Sequence, residues 1–354
     1  MPKHIIVSGP LRGLRHEEAR RALPAYLFSA RALDATFAES LMQRLIQGGI
    51  NLALRPRKGQ VGDLAQEEVD EVYSREARTY DWKHHMTTAR QDTIWRRAVG
   101  WTLTTMLKSR TAGDTFRMLD LCTGTGRTVE EVDHVLGACY ARIGDLPCAI
   151  EVTGLDYNEA MLAEARRHHS NFARLHGGAV AFVQGDATKL SLPTRHFDFV
   201  SQMFGIGGIK TPVPVFREAL RVLRSGGKYL LIDMHMPIAE LPGESALVPF
   251  RYRERPAFEW LTYLKTTIPL ALARLWGWRD TTLDFYLAPL VTFQDDGGGW
   301  WGFEEESRHF EPERWWAGYA VMPTMRLLLK KVRITPQEAE RRQGVLAAIL
   351  AHTA

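Results

Sequence analysis

The stretch Met118-Leu-Asp-Leu-Cys-Thr-Gly-Thr-Gly126 decides the fold of this 354-residue chain. It runs from a strand-like apolar segment into a turn that carries Gly124 and Gly126, and a helical pattern follows over residues 128–141. In a doubly wound sheet, the loop between the first strand and the first helix holds a nucleotide, because glycine turns let the backbone approach a ligand closely. A GxG pair alone also fits a plain strand–helix turn, so other residues are needed to distinguish a nucleotide site from such a turn.

The pattern after this loop alternates between strands and helices. After a first strand at residues 116–121, it predicts strands at residues 150–155, 180–184, 197–203 and 228–234. Helices are predicted at residues 158–175 and 215–223, and Gly226-Gly227 is interpreted as the C-terminal cap of the second. We therefore expect an α/β fold with a doubly wound, Rossmann-like, mainly parallel sheet.

Composition excludes several classes of function. The net charge of +4 is small and dispersed, which argues against a nucleic-acid partner. Cys122, Cys139 and Cys148 show no disulfide or zinc spacing, so a reducing, cytoplasmic location is expected and no metal. No run reaches the roughly 18 uncharged apolar residues of a membrane span. A mitochondrial leader is less favoured, because acidic residues interrupt the N-terminal arginines.

Three carboxylates make the prediction of a ligand site at the glycine loop more specific. Val129 stands where a dinucleotide site needs a third glycine. Asp120, Asp156 and Asp186 end three successive predicted strands. They suit the cationic amino group, the ribose hydroxyls and the adenine amino group of S-adenosylmethionine (SAM), a cofactor that has no phosphate.

These motifs resemble those of class I SAM-dependent methyltransferases: residues 119–126, 154–157, 185–187, 197–205 and 220–228. Over about residues 68–237 the chain is most similar to the ubiquinone/menaquinone biosynthesis C-methyltransferases, which also match Tyr80-Asp81 and Trp95-Arg-Arg97. The resemblance and the acids together give these cofactor contacts: Tyr80, Asp120, Cys122, Gly124, Thr125, Gly126, Asp156, Tyr157, Asp186, Ala187, Gln202 and Met203. Cys122 departs from the pattern, which often has glycine there, and nothing after Pro237 resembles the quinone enzymes.

The expected activity is methyl transfer to a carbon or oxygen of a hydrophobic small molecule, such as a quinone, lipid or secondary metabolite. Gln202-Met-Phe-Gly205 differs from the Asn/Asp-Pro-Pro-Tyr sequence of base-amino methyltransferases. Candidate bases are Asp233 and His235, or His84 and His85 if their segment folds over the site. Phospholipid or amine N-methylation and a non-catalytic assembly role remain as alternatives.

We divide the chain into five parts: an N-terminal helical extension (1–65), a SAM-binding core with preceding lid helices (66–236), a Trp-rich insertion or substrate lid (237–310), a terminal antiparallel hairpin of residues 315–322 and 325–332 (311–334), and a C-terminal helix (335–354). Thr335-Pro-Gln-Glu338 predicts the start of that helix. Asp295-Asp296 is interpreted as a turn, and Glu304-Glu-Glu306 as a solvated face. Peripheral membrane contact, a homodimer and the role of residues 1–65 are left open.

Overall fold

The fold was analysed in a computed structural model, which describes residues 6–7, 66–87, 91–140, 142–169, 172, 175, 180–234, 239–241, 244–246, 281, 284–310 and 324–351. The N-terminal extension, apart from residues 6–7, therefore lies outside the described residues. The same is true of most of the Trp-rich insertion and of residues 315–322.

An eight-stranded sheet forms the centre of the molecule. Its strands are β1 (Thr115–Leu121), β2 (Ala149–Asp156), β3 (Val180–Gln184), β4 (Phe197–Met203), β5 (Leu223–Met234), β6 (Thr292–Gln294), β7 (Trp300–Phe310) and β8 (Thr324–Arg333). The order across the sheet is β3-β2-β1-β4-β5-β8-β7-β6. The first five strands are parallel, and β8, β7 and β6 add antiparallel pairs. The predicted doubly wound sheet is confirmed, and its order reverses between β1 and β4.

Seven helices accompany the sheet in the described part of the chain. They are α1 (Gln66–Thr87), α2 (Gln91–Leu107), α3 (Arg127–Cys139), α4 (Glu159–His169), α5 (Val213–Val222), the short α6 (Asp284–Leu287) and α7 (Pro336–Ala351). Helices α2 and α3 pack closely, since a Cβ at Gly100 would lie only 2.7 Å from the Cβ of Val135. The predicted cap of α7 is present: the amide of Glu338 donates to Thr335 Oγ1 at 3.1 Å.

The apolar core lies on both faces of the sheet. On one face Tyr229 is fully buried between Phe216 and Phe303, at ring-centroid distances of 6.4 and 5.8 Å. On the other face α2 and α3 cover β1 with Leu103 and Val132. Each such side chain stabilises the fold by about 1.5–3 kcal/mol on burial, so the strand ends above the core are held rigidly.

The glycine pair Gly226-Gly227 lies inside β5 and does not cap α5, so that prediction is wrong. Helix α5 ends at Val222 and the chain enters β5 at once, with Leu223 already extended. The register of β5 against β4 shifts between Phe197 and Phe199, where Gly226 has φ +74°. A glycine at positive φ is therefore needed to bend a continuing strand.

The terminal hairpin uses a different first strand from the predicted one. β8 agrees with the predicted residues 325–332, but its antiparallel partner is β7, and the register runs from Trp301↔Arg333 to Phe310↔Met325. Residues 315–322 lie outside the described part. The antiparallel part of the sheet therefore begins with β6 and β7, which lie within the segment assigned to the insertion.

Two helical boundaries also differ from the prediction. The spacing of apolar residues over 67–108 predicts two helices that flank the aromatic segment Tyr80-Asp-Trp82, but this segment is part of α1. Helix α4 ends at His169 and not near residue 175.

Residues 6–7, 239–241 and 244–246 pair in a separate three-stranded ribbon. Of the helices that the structure describes, none combines the length and the apolar character needed to cross a bilayer.

Candidate functional site

A pocket that is partly open to solvent lies where the carboxyl ends of β1, β2 and β3 meet helix α1. Seven of the twelve predicted cofactor residues line it: Tyr80, Cys122, Gly124, Asp156, Tyr157, Asp186 and Ala187. Doubly wound sheets bind ligands at this edge. The structure thus brings these seven residues together, and their contact with a cofactor stays a prediction.

The glycine loop after β1 is tight because three of its residues, Cys122, Gly124 and Gly126, adopt left-handed backbone. Gly124 and Gly126 have φ of +55° and +76°. A Cβ on Gly126 would lie 3.0 Å from the Cβ of Ala165 and 3.2 Å from Cζ of Phe182, whereas Gly124 faces the pocket with only Met161 nearby. Gly126 thus serves the packing of the loop, and Gly124 leaves room for a ligand beside the backbone.

Asp156 ends β2 in the wall of the pocket. Its Oδ2 accepts the amide of Gly124 at 2.8 Å and its Oδ1 accepts the amide of Asn158 at 2.9 Å. Burial raises the pKa of this carboxyl, and the backbone amides partly oppose the rise. Each oxygen keeps a further lone pair, so the carboxylate can still accept hydroxyl donors from a ligand.

The third strand end contributes an acidic and an apolar residue. Asp186 is exposed, and its Oδ1 accepts the amide and the hydroxyl of Thr188 at 2.8 and 2.7 Å. Ala187 beside it is buried, and the amide of Gly185 donates to the carbonyl of Asp156 at 2.9 Å. This edge therefore offers a flat apolar surface next to a carboxylate, which suits an aromatic base with a hydrogen-bond donor.

Asp120 lies beneath the glycine loop, outside the described pocket lining, and does not face the ligand space. Its Oδ2 accepts the hydroxyl of Thr123 at 2.7 Å and its Oδ1 accepts that of Ser201 at 2.5 Å. Burial raises its pKa to about 6, although both hydroxyls favour the ionised form. In this arrangement Asp120 anchors the loop to β4.

Gln202 and Met203 are also outside the described pocket lining, although Gln202 Nε2 lies 3.5 Å from Sγ of the lining residue Cys122. Gln202 is fully buried, and its Oε1 accepts the hydroxyl of Tyr229 at 2.5 Å. Met203 packs in the core next to Thr128. The next two residues, Phe204 and Gly205, line the pocket instead. Residue type gave no signal of this shift, because it depends on the direction of each side chain at the end of β4.

Thr125 is a further predicted contact whose side chain turns elsewhere. It is buried, and its hydroxyl donates to Oδ1 of Asp81 in α1 at 2.6 Å. Two positively charged or titratable groups lie beside the same carboxylate, with Arg127 Nε at 3.9 Å and His168 Nδ1 at 4.0 Å from Oδ2. The sequence indicates Asp81 only as part of the Tyr80-Asp81 motif and does not predict its contacts with Thr125, Arg127 and His168.

Helix α1 covers one side of the pocket with tyrosines. Tyr73 and Tyr80 both line it, with ring centroids 6.0 Å apart in an edge-on arrangement. Burial raises the pKa of Tyr80 to about 12 and that of Tyr73 further. Both hydroxyls are therefore protonated at neutral pH and can donate hydrogen bonds. Tyr73 was not predicted, although it lies seven residues before Tyr80 and so on the same helix face.

His84 and His85 lie behind this wall, outside the described pocket lining. The His84 ring stacks on Tyr80 at 5.6 Å and contacts Phe204 at 5.4 Å, while burial lowers its pKa. His85 lies 2.9 Å from Oδ1 of Asp92 through Nδ1 and 3.0 Å from Arg127 through Nε2. The histidines thus connect α1 to α2 and α3, and their proposed role as bases receives no direct support from this geometry.

Of the two candidate bases at the end of β5 and just beyond it, the structure describes one. Asp233 is buried, and its Oδ2 accepts the amide of Ile206 at 3.2 Å while its Oδ1 lies 3.5 Å from the hydroxyl of Thr281. It therefore holds the segment after β4, which contains the lining residues Gly208 and Ile209. His235 lies outside the described residues.

Asn158 is the site residue that the sequence gave least reason to expect. Its side-chain nitrogen is within 2.9 Å of three acceptors in α1: the carbonyl of Asp70, Asp70 Oδ1 and Ser74 Oγ. Its Oδ1 accepts the amide of Met161 and caps α4. A contact across 88 residues leaves no local pattern, so only the cap was accessible to sequence reasoning.

The other acidic clusters are structural. Asp295 Oδ1 accepts the amides of Gly297 and Gly299, and its Oδ2 accepts the indole of Trp301, which is the predicted turn. Glu305 and Glu306 pair with Arg308 and Lys228. Within the described residues, no group of three His, Cys, Asp or Glu side chains has the arrangement of a metal site.

The residues of the pocket fit SAM. Beside Gly124 the nearest side chain is that of Met161, at ordinary contact distance; Asp156 supplies acceptors for hydroxyls, and Leu155, Ala187 and Ile209 supply an apolar surface. Tyr73, Tyr80 and Phe204 present ring surfaces, which attract a cationic centre such as a sulfonium.

Comparison with known proteins gives a consistent result. The sequence profile of the ubiE/COQ5 methyltransferase family matches residues 61–248. A ubiquinone/menaquinone biosynthesis C-methyltransferase from Pseudomonas fluorescens is 31% identical over 171 residues, 48% of this chain and 59% of that protein. The corresponding Methylobacterium nodulans protein is 34% identical over 172 residues, 48% of this chain and 61% of that protein. The match thus spans about 60% of the length of these relatives.

The fold also matches a solved structure. A phosphoethanolamine N-methyltransferase from Haemonchus contortus, in complex with phosphoethanolamine and S-adenosylhomocysteine, superposes with a TM-score of 0.51 at 15% identity. The superposition covers 80% of this chain and 52% of that one. At this identity the similarity concerns the fold alone. Since the family profile covers more than half of the sequence and confirms the resemblance in its motifs, the chain belongs to the ubiE/COQ5 methyltransferase family, whose methyl donor is S-adenosylmethionine.

Proposed function

We propose that the chain binds SAM in the pocket above Gly124 and Asp156 and transfers its methyl group to a carbon of a hydrophobic, quinone-like acceptor. The observation that carries the proposal is the convergence of Gly124, Asp156 and Asp186 on one pocket at the carboxyl edge of β1–β3. Membership of a methyltransferase family and relatives named as C-methyltransferases support the choice of a carbon acceptor.

The residues of the pocket have separable tasks in this proposal. Asp156 would bind the ribose hydroxyls, Asp186 and Ala187 the adenine, and the backbone at Gly124 the amino-acid part. When bound, SAM supplies an electrophilic methyl group on a positively charged sulfur. The main contribution of the chain is then to hold the acceptor in line and to exclude water.

Methylation of a carbon of a phenolic ring would form one carbon–carbon bond, break the sulfur–methyl bond of SAM to leave S-adenosylhomocysteine, and release one proton from the acceptor to water. Tyr73 and Tyr80 are the two residues of α1 whose hydroxyls line the pocket, beside Tyr157 and Thr188, and their raised pKa values keep them protonated. They would therefore donate hydrogen bonds to an acceptor oxygen and orient the ring, and they would not remove the proton. Asp233 would support the pocket wall by accepting the amide of Ile206. His84 would support it by packing against the rings of Tyr80 and Phe204.

The test is incubation of the protein with methyl-labelled SAM and a lipid extract, followed by mass spectrometry of each labelled product. We expect a labelled apolar aromatic product whose label survives treatment with hydroiodic acid, which cleaves methyl ethers but not carbon–methyl bonds. Asp156→Ala should abolish labelling, and substitution of Asp114, a partly exposed aspartate outside the pocket lining, by alanine should not. A label that is lost in acid would contradict carbon methylation, and labelling confined to water-soluble amines would contradict the acceptor class.

A further inference from the structure

We propose that Asp81 and Asn158 are positioning residues, which fasten helix α1 to the two cofactor loops and thereby hold Tyr80 and Tyr73 against the pocket. We call this pair of contacts the two-point latch: Asp81 with Thr125 at one end, and Asn158 with Asp70 and Ser74 at the other. The inference rests on the proposed function, because it assigns roles around the same pocket.

The first contact ties α1 to the glycine loop. The hydroxyl of Thr125 donates to Asp81 Oδ1 at 2.6 Å, and Thr125 stands between the two loop glycines. Arg127, the first residue of α3, and His168 of α4 lie close to the other oxygen of Asp81. A single carboxylate from α1 therefore meets the glycine loop, the start of α3 and the end of α4.

The second contact ties α1 to the end of β2. The amide nitrogen of Asn158 reaches Asp70 Oδ1 at 2.7 Å and Ser74 Oγ at 2.6 Å. The backbone amide of the same Asn158 donates to Oδ1 of Asp156 at 2.9 Å. The residue that holds α1 is thus bonded directly to the carboxylate proposed to bind ribose.

The tyrosines lie between the two ends of the latch. Asp70 and Asp81 are 11 residues apart, about 16 Å along a helix. Tyr73 and Tyr80 fall inside this span, on the face that lines the pocket together with Val69. Fixing both ends of the span fixes the position of both rings relative to Gly124 and Asp156.

Apolar packing alone gives α1 little hold on the core. In the 22-residue helix, Val69 and Ala77 are the buried apolar side chains among those whose burial is described. Most other described positions are polar or charged and at least partly exposed. Surface helices are normally held by a broad apolar stripe, so here the polar contacts have an unusually large share in placing the helix.

Asp81 and Asn158 differ in their relation to the pocket. Asn158 is one of its lining residues, whereas Asp81 is outside the described lining. Asp81 therefore acts through Tyr80 and the loop, and its substitution separates positioning from direct contact with the cofactor.

The experiment is calorimetric titration of the full chain with SAM. Asp81→Ala and Thr125→Val should each weaken binding about tenfold, the effect of losing one hydrogen bond to a charged group. Thr125→Ser keeps the hydroxyl and should bind like the wild type. Asp114→Ala and Thr111→Val remove a similar Thr–Asp contact on an exposed turn and serve as matched controls.

A double-mutant cycle distinguishes positioning from general destabilisation. If Asp81 acts through Tyr80, then Asp81→Ala should weaken SAM binding much less in a Tyr80→Ala background than in the wild type. Asn158→Asp keeps the acceptor oxygen of the α4 cap but places a second carboxylate beside Asp70, and it should also weaken binding. Thermal unfolding of each variant verifies that the protein is folded.

The outcomes separate the latch from the proposed function. No SAM binding by the wild type would overturn the proposed function, and the latch with it. Wild-type binding with unchanged affinity in folded Asp81→Ala and Thr125→Val would overturn the latch alone. Equal effects of Asp81→Ala with and without Tyr80 would contradict action through Tyr80.

Discussion

The side chain of Cys122 occupies the space that a side chain at Gly205 would need. A Cβ built on Gly205 would lie 2.3 Å from the Cβ and 2.9 Å from the Sγ of Cys122, closer than two such atoms can approach. Cys122 itself has φ +55°, a backbone conformation that favours glycine. Because the family pattern often has glycine at this position, the chain carries a side chain on a strained residue and accommodates it with a glycine opposite.

This pair predicts a compensating double substitution. Gly205→Ala should lower the free energy of unfolding by about 1–3 kcal/mol, because it overpacks the loop. Adding Cys122→Gly removes the obstructing atoms and should restore most of the loss, as measured by urea unfolding. If Gly205→Ala is neutral, or if Cys122→Gly does not rescue it, the two residues do not exclude each other as described.

The buried hydrogen bond between Tyr229 and Gln202 predicts that loss of the Tyr229 hydroxyl lowers the stability of the fold. Tyr229→Phe removes the donor to Oε1 of Gln202 and leaves that buried oxygen without this partner. We expect a loss of about 1–3 kcal/mol in the free energy of unfolding. Tyr157→Phe is a useful control, because that tyrosine is exposed. A loss below that of the control would show that the bond contributes nothing to stability.

A buried lysine predicts a defined pH dependence of stability. Lys331 Nζ donates to the carbonyl of Leu223 at 2.7 Å, and burial and then the charges of Arg195 and Arg221 lower its pKa from 10.5 to about 7. Between these two values the unfolded chain binds more protons than the folded one. The contribution of Lys331 to the free energy of unfolding therefore rises with pH across this window, by at most about 1.4 kcal/mol per pH unit.

The comparison of wild type with Lys331→Met isolates this contribution, because other titrating groups are common to both. We expect the difference in unfolding free energy to shift in favour of the wild type as pH rises from about 7 to 9. Denaturant unfolding at several pH values measures it. A difference that is constant with pH would show that Lys331 titrates alike in the folded and unfolded states.

Sequence reasoning could group the candidate residues because their signals are local. Gly124, Asp156 and Asp186 each follow an apolar strand, and parallel strands bring their carboxyl ends to one edge. It did not predict that the side chains of Asp120 and Gln202, at the ends of two strands, form buried hydrogen bonds with Ser201 and Tyr229. A strand end specifies a position along the chain, whereas the direction of a side chain depends on partners such as Ser201 and Tyr229.

The errors in the fold have similar physical causes. Gly226-Gly227 has the composition of a helix stop, and only the pairing of β5 with β4 shows that it bends a strand. The sequence did not predict β7, because the acidic run of residues 304–306 is typical of a solvated face. In the structure, charges of this run pair with Lys228 and Arg308 at the sheet surface. The contacts of Asp81 and Asn158 link residues 44 to 88 positions apart, where a single sequence has no pattern to display.

The central claim is tested most directly by calorimetric titration of the protein with SAM. We predict that one molecule of SAM binds per chain, and that Asp156→Ala weakens binding at least tenfold, because it removes the carboxylate that holds the Gly124 amide and faces the pocket. Asp114→Ala should bind like the wild type. Absence of SAM binding by the wild-type protein, or equal affinity in the wild type and Asp156→Ala, would contradict the assignment of this pocket.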